Sequence, residues 1–214
     1  MKNSKRKHFL LILLIILIAI FSMQYMMKKA DAGKKDVVAV ILSKDNMMSH
    51  SRLIDGIRDY AMNNDILLDV WYKNNISLSE LEELILEEEN NQAIAVLLVY
   101  PEEYIDTDDV ELLQYDNVLA ITDTMTNNFT YTASFEENKG DSYSIPIPVK
   151  IIKRIEEEED YNIYIKNTYK LGYCSMNIID SYEQNGSLED ICLQCMKVDR
   201  TTINNGNIDS LLID

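Results

Sequence analysis

The amino-acid sequence predicts an α/β domain with a doubly wound parallel sheet in the flavodoxin-like strand order. Two observations carry this prediction. Short apolar runs alternate with amphipathic runs between residues 37 and 123, and strands that alternate with helices at this spacing form right-handed βαβ units. The first run, residues 37–42, is continuous and rich in β-branched residues, which is typical of a strand covered by helices on both faces.

The elements of this region follow one another in a regular order. The predicted strands are residues 37–42, 66–72, 93–100 and 118–122. Residues 49–61 and 79–88 repeat apolar side chains every three or four positions, as amphipathic helices do. Ser77 or Ser79 is the expected N-cap of the second helix. Residues 111–115 are interpreted as part of a short third helix.

The regular alternation ends after residue 123, and residues 124–148 are expected to be an irregular crossover insert. Within it, residues 129–135 alternate weakly and predict a strand. Pro146 and Pro148 lack amide donors, so residues 144–148 form neither a central strand nor a helix interior. The remaining predicted elements are a helix at 150–159, a strand at 161–165, a helix at 169–184 and a last strand at 196–203.

The beginning of the chain has the pattern of a membrane anchor. Residues 1–8 are basic and precede an uncharged, mostly Leu and Ile run at residues 9–27, close to the ~20 residues that cross a bilayer as a helix. Basic residues before such a run favour a cytoplasmic N-terminus. Residues 28–36 are then a linker, and the folded domain, residues 37–214, is expected outside the cytoplasmic membrane. A secretory signal cleaved after Ala32 is the alternative, although Lys28 and Lys29 favour the anchor.

The charge of the chain argues against one class of partner. It contains 20 Lys and Arg and 36 Asp and Glu, a net charge of −16. The first 35 residues hold eight of the basic side chains and one acid, so the remainder carries 12 basic and 35 acidic side chains, a net charge of −23. Phosphate backbones repel such a domain, so we expect no nucleic-acid partner.

Residues for catalysis are few. The histidines are His8 and His50, which do not suffice for a histidine dyad or a metal cluster. Residues 43–49, after the first strand, contain no glycine and thus no phosphate loop. Cys192 and Cys195 have the spacing of a redox pair or half a zinc site, while a disulfide, also one with Cys174, and free thiols are alternatives. The sequence therefore predicts a non-enzymatic protein without a cofactor or metal.

Several segments together resemble a known family. They are the first strand ending at Ser43 and followed by Asp45, Asn46 and Gly56; residues 67–71, 94–101 and 117–123; residues 167–173 with the helix that ends at Gly186; and residues 198–208. This series is similar to type I periplasmic sugar-binding proteins and to the ligand domains of lactose-repressor-like regulators. The resemblance implies two lobes with a ligand in the cleft between them.

One lobe of that fold is expected to be largely missing. About 25 residues separate Asp123 from the helix at 150–159, which we align with the return of the chain to the first lobe. The expected domain is therefore essentially one lobe, with a second lobe that is absent or strongly reduced.

The resemblance also implies a site. In open α/β sheets, ligands bind outside the carboxyl ends of the strands, where loops 43–47, 73–75, 101–104 and 123–124 lie. Carried over from the family, Asp45 and Asn46 bond sugar hydroxyls, Met47 or Met48 stands where an aromatic ring stacks, and Asp123 takes a hydroxyl pair. The other members of the implied set are Ser43, Glu102 and Thr124. The alternative is that Asp45, Asn46 and Asp123 are turn and cap residues.

Three functions remain open from the sequence. The first is a solute-binding or sensing domain for a sugar-like ligand, acting with a transporter permease or a sensor kinase. The second is a protein-interaction or dimerisation module without a small-molecule ligand, because loss of a lobe exposes apolar surface that must be covered. The third is a thiol-redox protein that uses Cys192 and Cys195.

Overall fold

A computed structural model describes residues 35–105, 115–123, 125–145 and 147–204. The chain divides into two units, Met1–Lys35 and Asp36–Asp214, and the second contains all the elements described below. No helix in the described ranges is long and apolar enough to cross a membrane. The predicted anchor at 9–27, Thr124 and most of the predicted helix at 111–115 lie outside these ranges.

The elements agree with most of the predicted ones to within a few residues. The strands are β1 (Val37–Ser43), β2 (Leu67–Lys73), β3 (Ala95–Val99), β4 (Val118–Ile121), β5 (Tyr131–Phe135), β6 (Ser142–Ser144), β7 (Ile163–Lys166), β8 (Ile191–Leu193) and β9 (Met196–Val198). The helices are α1 (Ser51–Asn63), α2 (Leu78–Asn90), a 3-10 turn at Pro101–Glu103, α3 (Val149–Glu157), α4 (Thr168–Asn185) and α5 (Arg200–Asn204).

Six strands form one parallel sheet in the order β2-β1-β3-β4-β5-β8. The predicted α/β class and the flavodoxin-like order of the first five strands are therefore confirmed. Strand β8 was not predicted, because its three residues, Ile-Cys-Leu, are too few to show a periodicity.

Helices cover both faces of this sheet. Helices α1 and α4 pack on one face, where Leu53, Ile57 and Leu171 are fully buried with alternate residues of the central strands. Helix α2 packs on the other face through Leu81 and Ile85. Side chains alternate between the faces of a strand, so β1 and β3, which are buried on both sides, need apolar residues at nearly every position.

A second, smaller sheet has the order β6-β7-β9 and its own core. Strands β6 and β7 are parallel, and β7 and β9 are antiparallel. Its buried residues, contributed by this sheet, α3 and the segment before α3, are Ile147, Ile151, Ile155, Ile163, Ile165 and Val198. This sheet is what the structure shows in place of a complete second lobe. The expectation that the helix at 150–159 returns to the first lobe is wrong, because Ile151 and Ile155 of α3 pack in this second core.

The predicted last strand at 196–203 is wrong after Val198, where α5 follows. The Asp199 carboxylate accepts hydrogen bonds from the Thr202 N–H and hydroxyl, both at 3.0 Å. Such a cap favours a helix start over further strand pairing. The family resemblance implied a closing strand at residues 198–208. Helix α5 occupies part of that segment instead, and the residues after α5 lie outside the described ranges.

Candidate functional site

Helices α1 and α4 run side by side in the same direction. Gly56 lies against the Tyr169 carbonyl, and Gly172 lies against the Leu53 carbonyl. Further along both helices, the Tyr60 hydroxyl donates to the Asp180 carboxylate at 2.8 Å. The contacts advance together from Gly56 and Tyr169 to Tyr60 and Asp180. In addition, α1 leads into β2 and α4 leads into β8, which belong to one parallel sheet, so both N-termini lie at the same end. That end is the carboxyl edge of the large sheet, since α1 follows β1.

A cavity of about 190 Å³ lies between these two N-termini. Arg52 of α1 lines it from one side, and Asn167, Thr168 and Tyr169 line it from α4. Ile145, which follows β6 of the small sheet, lines it as well. The cavity thus lies where the helices of the large sheet meet the small sheet.

Two of the side chains that line the cavity are held in place by hydrogen bonds to other residues of the protein. The Tyr169 hydroxyl donates to the Asp59 carboxylate at 2.8 Å, which raises the pKa of Tyr169 above its usual value. The Asn167 amide oxygen accepts the Lys170 N–H at 2.9 Å and so caps α4. The phenol ring and the start of α4 are therefore fixed in position, which reduces the ordering that a ligand must impose.

A second group of side chains lies at the carboxyl edge beside β3. The His50 Nε2 is 2.9 Å from both carboxylate oxygens of Glu103, and the imidazole stacks on Tyr100 with a centroid distance of 4.5 Å. Burial, followed by the charges of Asp123, Glu102 and Glu103, raises the pKa of Tyr100 far above 10. Tyr100 therefore stays neutral, and the group joins the start of α1 to the turn after β3.

One ion pair connects the two sheets. The Lys166 ammonium of β7 is 3.3 Å from the Asp123 carboxylate, which follows β4. The Lys166 side chain is 22% exposed, and that of Asp123 is 73% exposed. The Lys166 ammonium also lies 5.8 Å from the centre of the Phe135 ring. Because Asp123 is so exposed, the pair adds little to stability, and a ligand or solvent can reach its carboxylate.

The predicted ligand residues are spread along the same edge. Ser43 ends β1 and is buried, Asp45 is exposed, and Met47 is 38% exposed. The Asn46 carbonyl accepts the Ser49 N–H at 3.0 Å and so forms the turn before α1. Glu102 is exposed, and partial desolvation together with the charge of Asp123 raises its pKa.

None of these described residues lines the 190 Å³ cavity, and their ligand-binding role stays a prediction. The sequence reasoning missed Arg52, Lys166, Thr168 and Tyr169. The sequence contains one signal that could have indicated this site. Asn167 is a residue type that often caps the start of a helix. A helix start after a parallel strand indicates the edge at which ligands bind.

The two closely spaced cysteines are free thiols. Burial is the main cause that raises the pKa of both Cys192 and Cys195, and the Glu136 charge adds to it. A raised pKa leaves less thiolate at neutral pH, and the thiolate is the reactive form. Redox activity of this pair stays a prediction that the electrostatics do not favour. Within the described ranges, no group of three His, Cys, Asp or Glu residues could hold a metal ion.

Comparison with known proteins supports the fold. No family model matches the chain, and no curated protein matches its sequence. A solved structure described as "ABC transporter, LacI family transcriptional regulator" from Brachyspira murdochii is similar with a TM-score of 0.50 and 9% identity, over 84% of this chain and 99% of that one. A putative transcription regulator from Staphylococcus saprophyticus gives a TM-score of 0.40 and 8% identity over 78% and 98% of the two chains.

The resemblance to periplasmic-binding-protein-like and lactose-repressor-like ligand domains is thus confirmed at the level of the fold. The Brachyspira protein is described as a transporter and regulator, not as an enzyme.

Proposed function

We propose that this protein is a membrane-anchored, extracytoplasmic solute-binding domain that takes a small, hydroxyl-rich, sugar-like molecule. The observation that carries the proposal is the cavity between the N-termini of α1 and α4 and the small sheet. The fold of the Brachyspira protein, described as an ABC transporter and a LacI-family regulator, agrees with a binding role. The proposed role is non-enzymatic.

The size of the cavity fits a small ligand. Its 190 Å³ is about 13 to 19 times the ~10–15 Å³ that one ordered water needs. It is also smaller than the ~300–1,000 Å³ of sites for drug-sized ligands. A single sugar ring is therefore a better match than an oligosaccharide or a nucleotide.

The lining chemistry fits a neutral ligand with both polar and apolar faces. Thr168, Asn167 and Arg52 offer a hydroxyl, an amide and a guanidinium, and Tyr169 and Ile145 offer apolar surface. Sugar rings present hydroxyls at their rim and C–H groups on their faces. The net charge of −23 beyond residue 35 repels multiply charged anions, so a neutral ligand is favoured over a phosphorylated one.

The N-terminal run at residues 9–27 supports placement at the cell membrane, with the folded domain outside the cytoplasm. A domain so placed passes its ligand, or the information that a ligand is bound, to a membrane partner. A transporter permease or a sensor kinase is the partner class we propose.

Binding of sugars to the full-length protein in detergent tests the proposal. Titration calorimetry with a panel of neutral pentoses and hexoses should show at least one ligand at millimolar concentration or below. The Thr168→Val variant keeps the shape and removes one hydroxyl. Leaving a ligand hydroxyl unpaired costs about 1–2 kcal/mol, so we expect about 5- to 30-fold weaker binding.

The matched control is Thr201→Val, on the exposed surface of α5, which should bind as the wild type does. If no sugar in the panel gives a heat larger than that of dilution, the proposal is wrong. Equal affinities of the Thr168→Val and Thr201→Val variants would show that the ligand binds elsewhere.

A further inference from the structure

Strand β2 forms an edge of the large sheet, and its outer side pairs with none of the strands in the described ranges. Its inner side pairs with β1 over seven residues. The Leu67 N–H donates to the Asp36 carbonyl at 2.8 Å, and the Lys73 carbonyl accepts the Lys44 N–H at 3.1 Å. Because successive residues point their backbone groups to opposite sides, those of Leu68, Val70 and Tyr72 point outward.

The surface along this edge is partly apolar. Leu67 is 49% exposed, Tyr72 is 41% exposed, and Met62 at the end of α1 is 81% exposed. A shallow groove beside the strand is lined by Val40, Leu42, Ile54, Ile57, Arg58, Leu68, Val70 and Tyr72. The outward backbone groups of three residues, next to exposed apolar side chains, form a template for another strand.

The side chains of β2 are complementary to those of an identical strand. Asp69 and Lys73 lie on the same face of β2, on either side of Trp71. If a second β2 runs antiparallel with Trp71 at the centre, Asp69 stands opposite Lys73 of the second copy, and Lys73 stands opposite its Asp69. Opposite charges placed directly across from each other stabilise strand pairs, and like charges destabilise them.

We propose that two copies of this chain associate through antiparallel pairing of their β2 strands, centred on Trp71, to form one continuous sheet. The backbone geometry permits this register. Val70 then stands opposite Tyr72 of the second copy, and both residues have outward backbone groups, as a hydrogen-bonded pair requires. Trp71 faces Trp71 of the second copy at a non-hydrogen-bonded position, where side chains approach most closely.

The neighbouring registers are less favourable. A shift centred on Val70 places Asp69 opposite Trp71 of the second copy and Lys73 opposite its Leu67. A shift centred on Tyr72 places Lys73 opposite Trp71 and Asp69 beyond the last residue of the other strand. Only centring on Trp71 pairs both charges. The charges therefore select the register and also discourage unspecific pairing along this edge.

This complementarity also favours a second copy over an unrelated partner. One strand carries both members of the ion pair, so a two-fold axis through Trp71 pairs all four charges of the two strands in two ion pairs. The inference is independent of the proposed ligand site, because β2 does not line the 190 Å³ cavity.

Charge reversal on the full-length protein in detergent micelles tests the proposal. Sedimentation velocity should show dimers that dissociate on dilution. Lys73→Asp or Asp69→Lys alone replaces two attractive pairs by two repulsive ones, so we expect at least about a tenfold rise in the dissociation constant. The double variant Asp69→Lys/Lys73→Asp restores opposite charges and should return the constant to within about threefold of the wild type.

Two further measurements keep the test decisive. Trp71 is the single tryptophan of the chain, so its emission should shift as the dimer dissociates, and circular dichroism reports whether each variant is folded. If a charge variant does not fold, Tyr72→Pro serves instead. It removes an outward N–H, leaves the bonds to β1 intact and should give a monomer.

The matched control is Lys139→Asp, which makes the same charge change on an exposed residue away from β2 and should stay dimeric. A wild-type protein that is monomeric at hundreds of micromolar overturns the proposal. So does a dimer that tolerates the single reversals, or a folded double variant that remains monomeric.

Discussion

Replacing Gly172 by alanine tests whether the close packing of α1 and α4 holds the fold together. A Cβ at Gly172 would overlap the Leu53 carbonyl oxygen and would come within 3.2 Å of the Ile57 side chain. The carbonyl belongs to the backbone of α1, so a rotamer change cannot relieve the overlap, and the helices must move apart.

The size of the effect follows from two opposing contributions. Overpacking of a tight core contact costs about 1–3 kcal/mol, and a contact with rigid backbone belongs at the upper end of that range. Alanine gains about 1 kcal/mol of helix propensity over glycine. We therefore expect a loss of about 2 kcal/mol of unfolding free energy, which for a chain of this size lowers Tm by about 4–8 °C.

Urea unfolding followed by Trp71 emission measures this loss. Lys170→Ala is the control, because Lys170 is an exposed residue of the same helix and its replacement should change stability by less than about 0.5 kcal/mol. If Gly172→Ala is as stable as Lys170→Ala, the close packing of α1 and α4 does not hold the fold together.

Two further predictions concern a buried acid and the N-terminal segment. Glu88 of α2 is buried, its Oε1 accepts the Trp71 indole N–H at 3.2 Å, and its Oε2 has no hydrogen-bond partner among the described residues. Burial, followed by the charge of Asp69, raises the pKa of Glu88. The folded state then holds the proton more tightly than the unfolded state, so this residue reduces stability as the pH rises above 4.5. Glu88→Gln should gain stability relative to the wild type between pH 4.5 and 7 in urea titrations, whereas Glu83→Gln, at an exposed position of the same helix, should not; parallel pH profiles for all three proteins would contradict this. For the N-terminal segment, an uncleaved anchor predicts that the protein remains in the membrane fraction after an alkaline wash, and a soluble product whose mass begins near residue 33 would instead support the cleaved signal.

The fold was predictable where the hydrophobic pattern is long. Strands β1, β3 and β4 are central, so each needs an unbroken run of apolar residues, and Ala39, Leu97 and Leu119 are fully buried as that pattern indicates. Helix α2 was also predictable, because Ser77 and Glu80 form a capping box at its start. Short elements gave no such signal. In β8 the middle residue, Cys192, is exposed and only Ile191 is buried, which is too little pattern to identify a strand.

The candidate site was predictable only in its location. The rule that ligands bind at the carboxyl edge of a parallel sheet directed attention to this edge, but to the loops after β1 and β4, whose predicted ligand residues do not line the cavity. It could not show that Arg52 and Thr168, 116 positions apart, line one cavity. That proximity depends on how α1 and α4 pack, which is a tertiary property. The helical periodicity of each segment indicates which face is buried but not which helix it meets.

The close packing of α1 on α4, where Gly56 lies against Tyr169 and Gly172 lies against Leu53, also has a consequence for the order of folding. Leu53 and Ile57 of α1 are fully buried, and their neighbours include residues of α4. During synthesis these side chains are made more than a hundred residues before the helix that covers them. The first half of the sheet therefore remains with an exposed apolar face until α4 has left the ribosome or, for an exported chain, the translocation channel. Contacts of such sequence separation slow folding and expose intermediates to aggregation, so we infer that this domain acquires its stability only when nearly all of the chain is present.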